Sequence, residues 1–267
     1  MILYFECFSG ISGDMSVASL LDLGADKQIL MDALSSLNID GYTIEISAKD
    51  KCGIFGTSFD VILEHQHTNE PEQEDHNFES EEHTQHQEQH KHRNIEDIEK
   101  IIDESNLTDN AKNLARKIFN IILRAEAKAH NKPENEVHFH EVGAIDSIID
   151  IVGVAVCIDN LGIKDVIVST VYEGQGHVKC AHGIMPVPVP AVVNIFNESN
   201  LNLKITNNKN EMVTPTGAAI LAALKNVEQL PEEFKIIKSG IGVGKKNFKN
   251  ANILRTMIIE EPKKKLI

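Results

Sequence analysis

Two histidines and two aspartates within thirteen residues are the strongest candidates for chemistry in this sequence. His138 and His140 would share one face of an extended segment, because side chains alternate along such a segment. The apolar run that follows predicts a helix from about Ala144, which stacks Asp146 above Asp150 on one helix face. Imidazole and carboxylate groups together suit a divalent ion such as Ni(II) or Zn(II). The pattern favours a metal or catalytic site over a solvated helix start whose acids face the helix dipole.

A glycine-rich turn at residues 7–14 lies between a predicted strand and a predicted helix. Backbone N–H groups in such a turn can bind an anion, and this turn also carries Ser9, Ser12 and Asp14. It lacks the Gly-Lys-Ser/Thr sequence of a P-loop. A tight turn in which Asp14 caps the helix explains the same residues equally well, so both interpretations stay open.

A second candidate anion site is the helix start at residues 214–217. Thr214 is placed as the N-cap, Pro215 occupies the first helical position, and Gly217 leaves room for a phosphate near the amides. The same residues would be chosen simply to begin a helix, and this plainer interpretation is slightly favoured.

A short hairpin at residues 174–183 is a third candidate, because it carries His177, Cys180 and His182. A thiolate beside two imidazoles would accept nickel or zinc. A lone cysteine is more often a small buried hydrophobic residue, so the two interpretations are evenly balanced.

Residues 64–93 form the clearest compositional break in the chain, with seven histidines, nine acids and two bases. Phe78 is the only large apolar residue there, so burial cannot offset the entropy of ordering the segment. We expect a long disordered loop that captures late transition metals. An inert spacer is the alternative.

Length and composition limit the possible classes of protein. The chain has 267 residues, 42% of them hydrophobic, which is enough for a substantial core. A net charge of −14 argues against a nucleic-acid partner. Four scattered cysteines form no C-x-x-C pair, and no apolar run reaches membrane-spanning length. We therefore expect a cytoplasmic protein with neither a membrane nor a nucleic-acid partner.

Interleaved strand and helix patterns without a repeat predict an α/β fold with a mixed sheet and flanking helices. Strands are expected at 2–7, 42–47, 54–63, 165–171, 234–243 and 252–259. Helices are expected at 15–23, 26–37, 94–104, 109–130, about 144–161, after the prolines of 185–190, and from 214. Three segments are expected: a lobe at 1–63, the histidine-rich loop at 64–93, and the main α/β region at 94–267. Gly240, Gly242 and Gly244 alternate without a following helix, which indicates close backbone approach rather than dinucleotide binding.

Four separated motifs, at residues 7–15, 137–150, 178–183 and 213–219, resemble those of the LarC-type nickel-insertion proteins. They stand in the order found in that family, the histidine-rich loop is in the same place, and the resemblance covers essentially the whole chain. It implies insertion of nickel into a pyridinium-3,5-bisthiocarboxylic acid mononucleotide. The product is the nickel-pincer nucleotide cofactor of lactate racemase-type enzymes.

The resemblance also implies a CTP-dependent cyclometallase of the metal-chelatase lyase class, with Mg or Mn accompanying CTP. Full-length relatives continue into a C-terminal CTP-binding domain, whereas this chain stops at Ile267, so we expect full activity to need that domain from a separate chain. Asn247 stands where relatives commonly carry aspartate, so either this position is not a ligand or this copy has diverged.

Forming a nickel–carbon bond requires loss of a ring proton, for which His140 or Glu141 is the expected general base. The expected catalytic residues are His140, Glu141 and Asp14. The expected cofactor-binding residues are Ser9, Ser12, Thr214, Thr216 and Gly217. The expected nickel ligands are His138, His140, Asp146, His65, His67, His86, His90 and His92.

Two other functions compete with nickel insertion. A non-catalytic nickel chaperone or store would need only the histidine-rich loop, and the motif at 137–150 would then be structural. A hydrolase that uses a bound metal to activate water would need an open coordination position.

Overall fold

Ten strands and seven α-helices are present in the computed structural model, which describes residues 1–64, 93–137, 144–180 and 183–262. The strands are β1 (Ile2–Glu6), β2 (Tyr42–Lys51), β3 (Ile54–Leu63), β4 (Asp165–Val168), β5 (Val171–Glu173), β6 (Gly176–Cys180), β7 (Gly183–Val187), β8 (Leu203–Ile205), β9 (Lys235–Val243) and β10 (Ile253–Glu260). The helices are α1 (Gly13–Leu23), α2 (Lys27–Ser35), α3 (Ile95–Glu104), α4 (Asp109–His130), α5 (Ile145–Asn160), α6 (Pro190–Glu198) and α7 (Pro215–Leu224). The predicted mixed α/β fold is confirmed.

Six strands form one sheet in the order β2-β3-β9-β10-β1-β4. β1 is parallel to β4 and antiparallel to β10, and β9 is antiparallel to β10. β3 is parallel to β9, so β1, β3, β4 and β9 all point the same way. The loops that follow these four strands therefore meet at one edge of the sheet. This sheet combines strands from both predicted segments, 1–63 and 94–267.

Glycines of β9 let α1 lie directly on the sheet. A Cβ at Gly240 would overlap the Ser19 carbonyl oxygen, and a Cβ at Gly242 would overlap that of Met15. The alternating glycines thus serve close backbone approach, as predicted. α5 packs between α1 and α4, which explains why its residues from Ile148 to Ile158, apart from Asp150, are buried.

Local sequence features account for several helix boundaries. α4 has the predicted bounds, and the Thr108 hydroxyl accepts a hydrogen bond from the Ala111 N–H at 3.2 Å, as an N-cap should. Asn94 and Asp97 form a reciprocal capping box at the start of α3. Asp14 does not cap α1, as one interpretation of the turn predicted. The N-cap of α1 is Ser12, and Asp14 lies in the first turn.

The strand expected at 165–171 is two strands. The Ser169 hydroxyl accepts a hydrogen bond from the Cys7 N–H at 2.9 Å and donates one to the Thr170 carbonyl at 2.8 Å. After that interruption the chain leaves the large sheet, and β5 pairs with β8 instead. β7, which includes the first of the prolines at 185–190, pairs with β6 as a separate hairpin.

The predicted histidine-rich loop spans residues 64–93. Residues 65–92 of it lie outside the described part of the chain. Within the part that is described, no helix is long and apolar enough to cross a membrane.

The close contact between α1 and β9 can be tested with Gly242→Ala. The added methyl group would meet the backbone at Met15, where no side-chain rotation relieves the overlap. We expect the free energy of unfolding in urea to fall by about 1–3 kcal/mol, the usual cost of overpacking. Ser239→Ala, at an exposed position of the same strand, should stay within about 0.5 kcal/mol of the parent. Equal effects of the two variants would contradict this packing.

Candidate functional site

The turn after β1 is held against the start of α7 by backbone contacts. The Ile11 N–H donates to the Met212 carbonyl at 2.9 Å, and the Thr214 N–H donates to the Ile11 carbonyl at 3.0 Å. Gly10 has a φ of +81°, and a Cβ there would overlap the Met212 carbonyl oxygen. The two predicted anion-binding turns therefore pack against each other, and this contact requires glycine.

The residues expected to bind the cofactor are divided between these two turns. The Ser9 hydroxyl donates to the Ala251 carbonyl at 2.8 Å, and the Ser12 hydroxyl donates to the Asp14 carboxylate. The Thr214 hydroxyl caps α7 by accepting from the Gly217 N–H at 3.1 Å. Thr216 and Gly217 are buried, and a Cβ at Gly217 would lie 2.5 Å from the Ile11 carbonyl oxygen. The contacts of Gly217 are thus accounted for by packing, and its role in phosphate binding stays a prediction.

Glu173 is a fully buried carboxylate that fixes the segment leading into α7. Its Oε1 accepts hydrogen bonds from the Gly174 N–H at 2.6 Å and the Met212 N–H at 2.7 Å, and its Oε2 accepts one from the Val213 N–H at 3.2 Å. Burial raises the pKa of Glu173 from 4.5 to about 7, against the opposing effect of these donors. The group is therefore protonated in part of the population near neutral pH.

A cluster of three aspartates and one lysine lies at the same edge of the sheet. The Nζ of Lys245, which follows β9, lies 3.8 Å from Oδ2 of Asp14 and 3.5 Å from Oδ1 of Asp60. Asp150, from the second turn of α5, lies against the start of α1, where a Cβ at Gly13 would be 2.5 Å from its Oδ2. We call Asp14, Asp60, Asp150 and Lys245 the carboxylate cluster.

Asp150 is the unusual member of this cluster. Its Oδ1 is buried and accepts no hydrogen bond within the described ranges. Burial raises the pKa of Asp150 well above its usual range, and the charges of Asp14 and Asp146 raise it further. A buried carboxylate oxygen without a donor is costly unless a proton or another cation neutralises it.

The charges of the other members offset one another. Burial opposes ionisation of Asp60, but hydrogen bonds from Lys49 and Ser58 and the charge of Lys245 lower its pKa overall. Burial lowers the pKa of Lys245, but the charges of Asp14, Asp60 and Asp150 outweigh that effect and raise it. Lys245 thus stays protonated inside the cluster.

The structure places only some of the predicted metal ligands. Asp146 lies exposed in the first turn of α5, one turn before Asp150. His138, His140 and Glu141 lie outside the described residues, which omit 138–143. The same holds for the loop histidines His65, His67, His86, His90 and His92. Within the described ranges alone, no three His, Cys, Asp or Glu side chains are arranged to hold a metal ion.

Asp60, Glu173 and Lys245 are site residues that the sequence did not single out. Asp60 and Lys245 meet because β3 pairs with β9 in the register of Thr57 with Gly242, and these strands are far apart in the sequence. Glu173 ends a three-residue strand without a distinctive motif.

The comparisons with known proteins agree with one another. A family model described as nickel insertion protein matches residues 3–266. The pyridinium-3,5-bisthiocarboxylic acid mononucleotide nickel insertion protein of Alkaliphilus metalliredigens is 54% identical over 259 residues, which are 97% of this chain and 60% of that protein. The protein of the same name from Clostridium acetobutylicum is 48% identical over 97% of this chain and 64% of its own length. A putative nickel insertion protein of Dictyoglomus thermophilum is 41% identical over 97% of this chain and 60% of its own length.

The chain therefore spans about 60% of the length of these curated relatives. No solved structure matches it.

The buried Glu173 carboxyl gives the protein a pH-dependent stability that can be measured. Since its pKa is higher in the folded protein than the ordinary 4.5, the folded state binds more protons between pH 4.5 and about 7. Its contribution to the free energy of unfolding is largest below that window and falls as pH rises through it. Glu173→Gln should remove this dependence and, with one acceptor fewer, cost about 1–3 kcal/mol at low pH.

Urea unfolding at several pH values checks this expectation. Glu232→Gln, at an exposed position, should leave the pH profile of the parent unchanged. A Glu173→Gln protein that keeps the parent's profile would show that another group causes it.

Proposed function

The chain belongs to the nickel insertion protein family, as its motifs predicted, and we propose that it inserts Ni(II) into a pyridinium-3,5-bisthiocarboxylic acid mononucleotide. The relatives that carry this name match nearly the whole chain. The proposed product is the nickel-pincer nucleotide used by lactate racemase-type enzymes. The proposed class is a nickel-inserting cyclometallase, a lyase of the metal-chelatase type.

The observation that carries this proposal within the fold is Oδ1 of Asp150, which is buried and accepts no hydrogen bond from the residues that the structure describes. It lies in the carboxylate cluster beside Asp14, whose carboxylate is 3.8 Å from the ammonium of Lys245. A divalent ion reaching this edge would satisfy the Asp150 oxygen and replace the charge of Lys245. We propose that Asp150 and Asp146 help to hold nickel during transfer, together with His138 and His140.

The chemistry requires three new bonds to nickel. Two form to the thiocarboxylate sulfurs, and the third forms to the ring carbon as its C–H bond breaks. The ring proton leaves to a general base, for which His140 and Glu141 remain the proposed residues. Asp14 is proposed to act at the same step, because its carboxylate is held by Ser12 and by the Met15 N–H at 2.9 Å.

Further parts of the proposal come from the family resemblance. CTP with Mg or Mn is the proposed co-substrate, and a separately supplied C-terminal domain is a proposed partner. Ser9, Ser12, Thr214, Thr216 and Gly217 are the proposed nucleotide-binding residues. The cytoplasm is the proposed location, supported by four free cysteines.

Asp150→Asn tests the carboxylate cluster directly. We expect the rate of nickel insertion, measured by activation of an apo lactate racemase, to fall at least about tenfold, which is about 1.4 kcal/mol. The thermal midpoint of the metal-free protein should rise, because a buried acid whose ionisation is disfavoured has been removed. Assays with and without CTP, and with the C-terminal domain of a relative added, keep the test independent of that domain.

Asp165→Asn is the matched control, since Asp165 is exposed at the start of β4, at the opposite edge of the sheet. It should change neither the insertion rate nor the midpoint. Insertion at the parent rate by Asp150→Asn would remove the cluster from the nickel path.

Two further variants separate nickel capture from insertion. Deleting residues 65–92, which hold the seven loop histidines, should lower the number of Ni(II) ions bound in equilibrium dialysis. The thermal midpoint should be nearly unchanged, because little apolar surface is lost.

His140→Ala should leave bulk nickel binding intact and abolish insertion. If His140→Ala inserts nickel at the parent rate, the motif is structural and a nickel store is the better description.

A further inference from the structure

An exposed aromatic pair with an adjacent lysine lies beside the turn after β1. Phe8 is 45% exposed, and its ring centroid is 5.0 Å from that of Tyr172, with the planes tilted by 46°. The Nζ of Lys204 lies 4.6 Å from the centroid of the Tyr172 ring and 3.2 Å from the Tyr172 hydroxyl. We call Phe8, Tyr172 and Lys204 the aromatic platform.

The fold fixes the position of each member of the platform. The Tyr172 N–H donates to the Cys7 carbonyl at 3.0 Å, which ties Tyr172 to the residue before Phe8. Tyr172 and Lys204 are direct partners in the parallel pairing of β5 with β8. Two contacts to Tyr172 hold the Lys204 ammonium in place, so little further side-chain entropy is lost when it binds a ligand.

The exposure of Phe8 stands out against its neighbours in the turn. Cys7 and Ile11 are fully buried, whereas the Phe8 ring keeps nearly half its surface in water. An aromatic face exposed to water destabilises the unliganded protein. A planar ligand that covers the ring removes this surface from water and offsets that cost. The platform therefore has the form of a stacking site.

We propose that the aromatic platform binds the pyridinium mononucleotide substrate, a proposal that rests on the proposed function. A pyridinium ring is a planar cation, which an aromatic face such as that of Phe8 attracts through its quadrupole. The same molecule carries two thiocarboxylates and a phosphate, and Lys204 pairs with one of these anions. The charge of the surrounding segment supports binding of an anion. Residues 199–210 contain Lys204 and Lys209 and no acid, in a chain of net charge −14.

Nicotinic acid mononucleotide is a suitable probe, because it has the pyridinium ring, a carboxylate and the phosphate. Calorimetric titration should show binding to the parent protein that Phe8→Leu weakens about tenfold and Phe8→Tyr leaves within about twofold. Lys204→Met should weaken binding about fivefold and reduce its dependence on salt. Phe55→Leu is the matched control, since Phe55 is 72% exposed near the start of β3 and should have no effect.

Tyrosine fluorescence locates the ligand, because the chain has three tyrosines and no tryptophan. The probe should quench emission of the parent, and Tyr172→Phe should remove most of that quenching while the affinity falls by less than about fivefold. Reduced nicotinamide mononucleotide, whose ring is uncharged, should bind at least about threefold more weakly than oxidised nicotinamide mononucleotide, whose ring is a pyridinium.

Unchanged affinity of Phe8→Leu, or equal binding of the reduced and oxidised nicotinamide mononucleotides, would overturn the platform as the pyridinium site. Nickel binding by the same variants is measured in parallel and should match the parent. A parent protein that binds the probe through Phe8 but inserts no nickel, even with CTP and the C-terminal domain of a relative added, would support the platform and overturn the proposed function, so the two failures are distinguishable.

Discussion

Close backbone packing around the turn after β1 is the constraint on which the rest of the site depends. Gly10 and Gly217 allow this turn and the start of α7 to exchange hydrogen bonds, and Gly13 lets α1 begin against Asp150. A side chain at any of these positions would force the elements apart. Glu173 also fixes this arrangement, because its carboxylate accepts hydrogen bonds from the N–H groups of residues 174, 212 and 213. The candidate site is therefore assembled from elements that are distant in sequence.

The carboxylate cluster is the part of the fold on which the proposed nickel site depends. Lys245 pairs with Asp14 and Asp60, and hydrogen bonds from Lys49 and Ser58 together with the charge of Lys245 lower the pKa of Asp60. Asp150 has a raised pKa, and its Oδ1 accepts no hydrogen bond from the residues that the structure describes. In the proposed nickel site, a divalent ion would satisfy this oxygen and would compete with the ammonium of Lys245 for the carboxylates of the cluster.

Elements that depend on local sequence were predicted well. The bounds of α4 and β3 agree with the sequence expectation, because helical periodicity, the Thr108 cap and the turn before Ile54 are all local features. The break at Ser169 was missed, because it depends on a hydrogen bond from Cys7 across the sheet. The meeting of Asp60 with Lys245 was missed for the same kind of reason. It follows from the register of two strands that nothing local in the sequence specifies.

The two proposals place the substrate ring and the metal at opposite ends of one short turn. Phe8 and Asp14 are separated by only five residues. The middle one of these, Ile11, is hydrogen-bonded through its N–H and its carbonyl to the segment that leads into α7. A segment pinned in this way has little freedom to move its ends relative to each other. The distance between a ring stacked on Phe8 and an ion at Asp14 and Asp150 is then set by the packing at Gly10. Metal insertion into a rigid planar ring needs such fixed geometry, because two sulfurs and a carbon must reach the ion together.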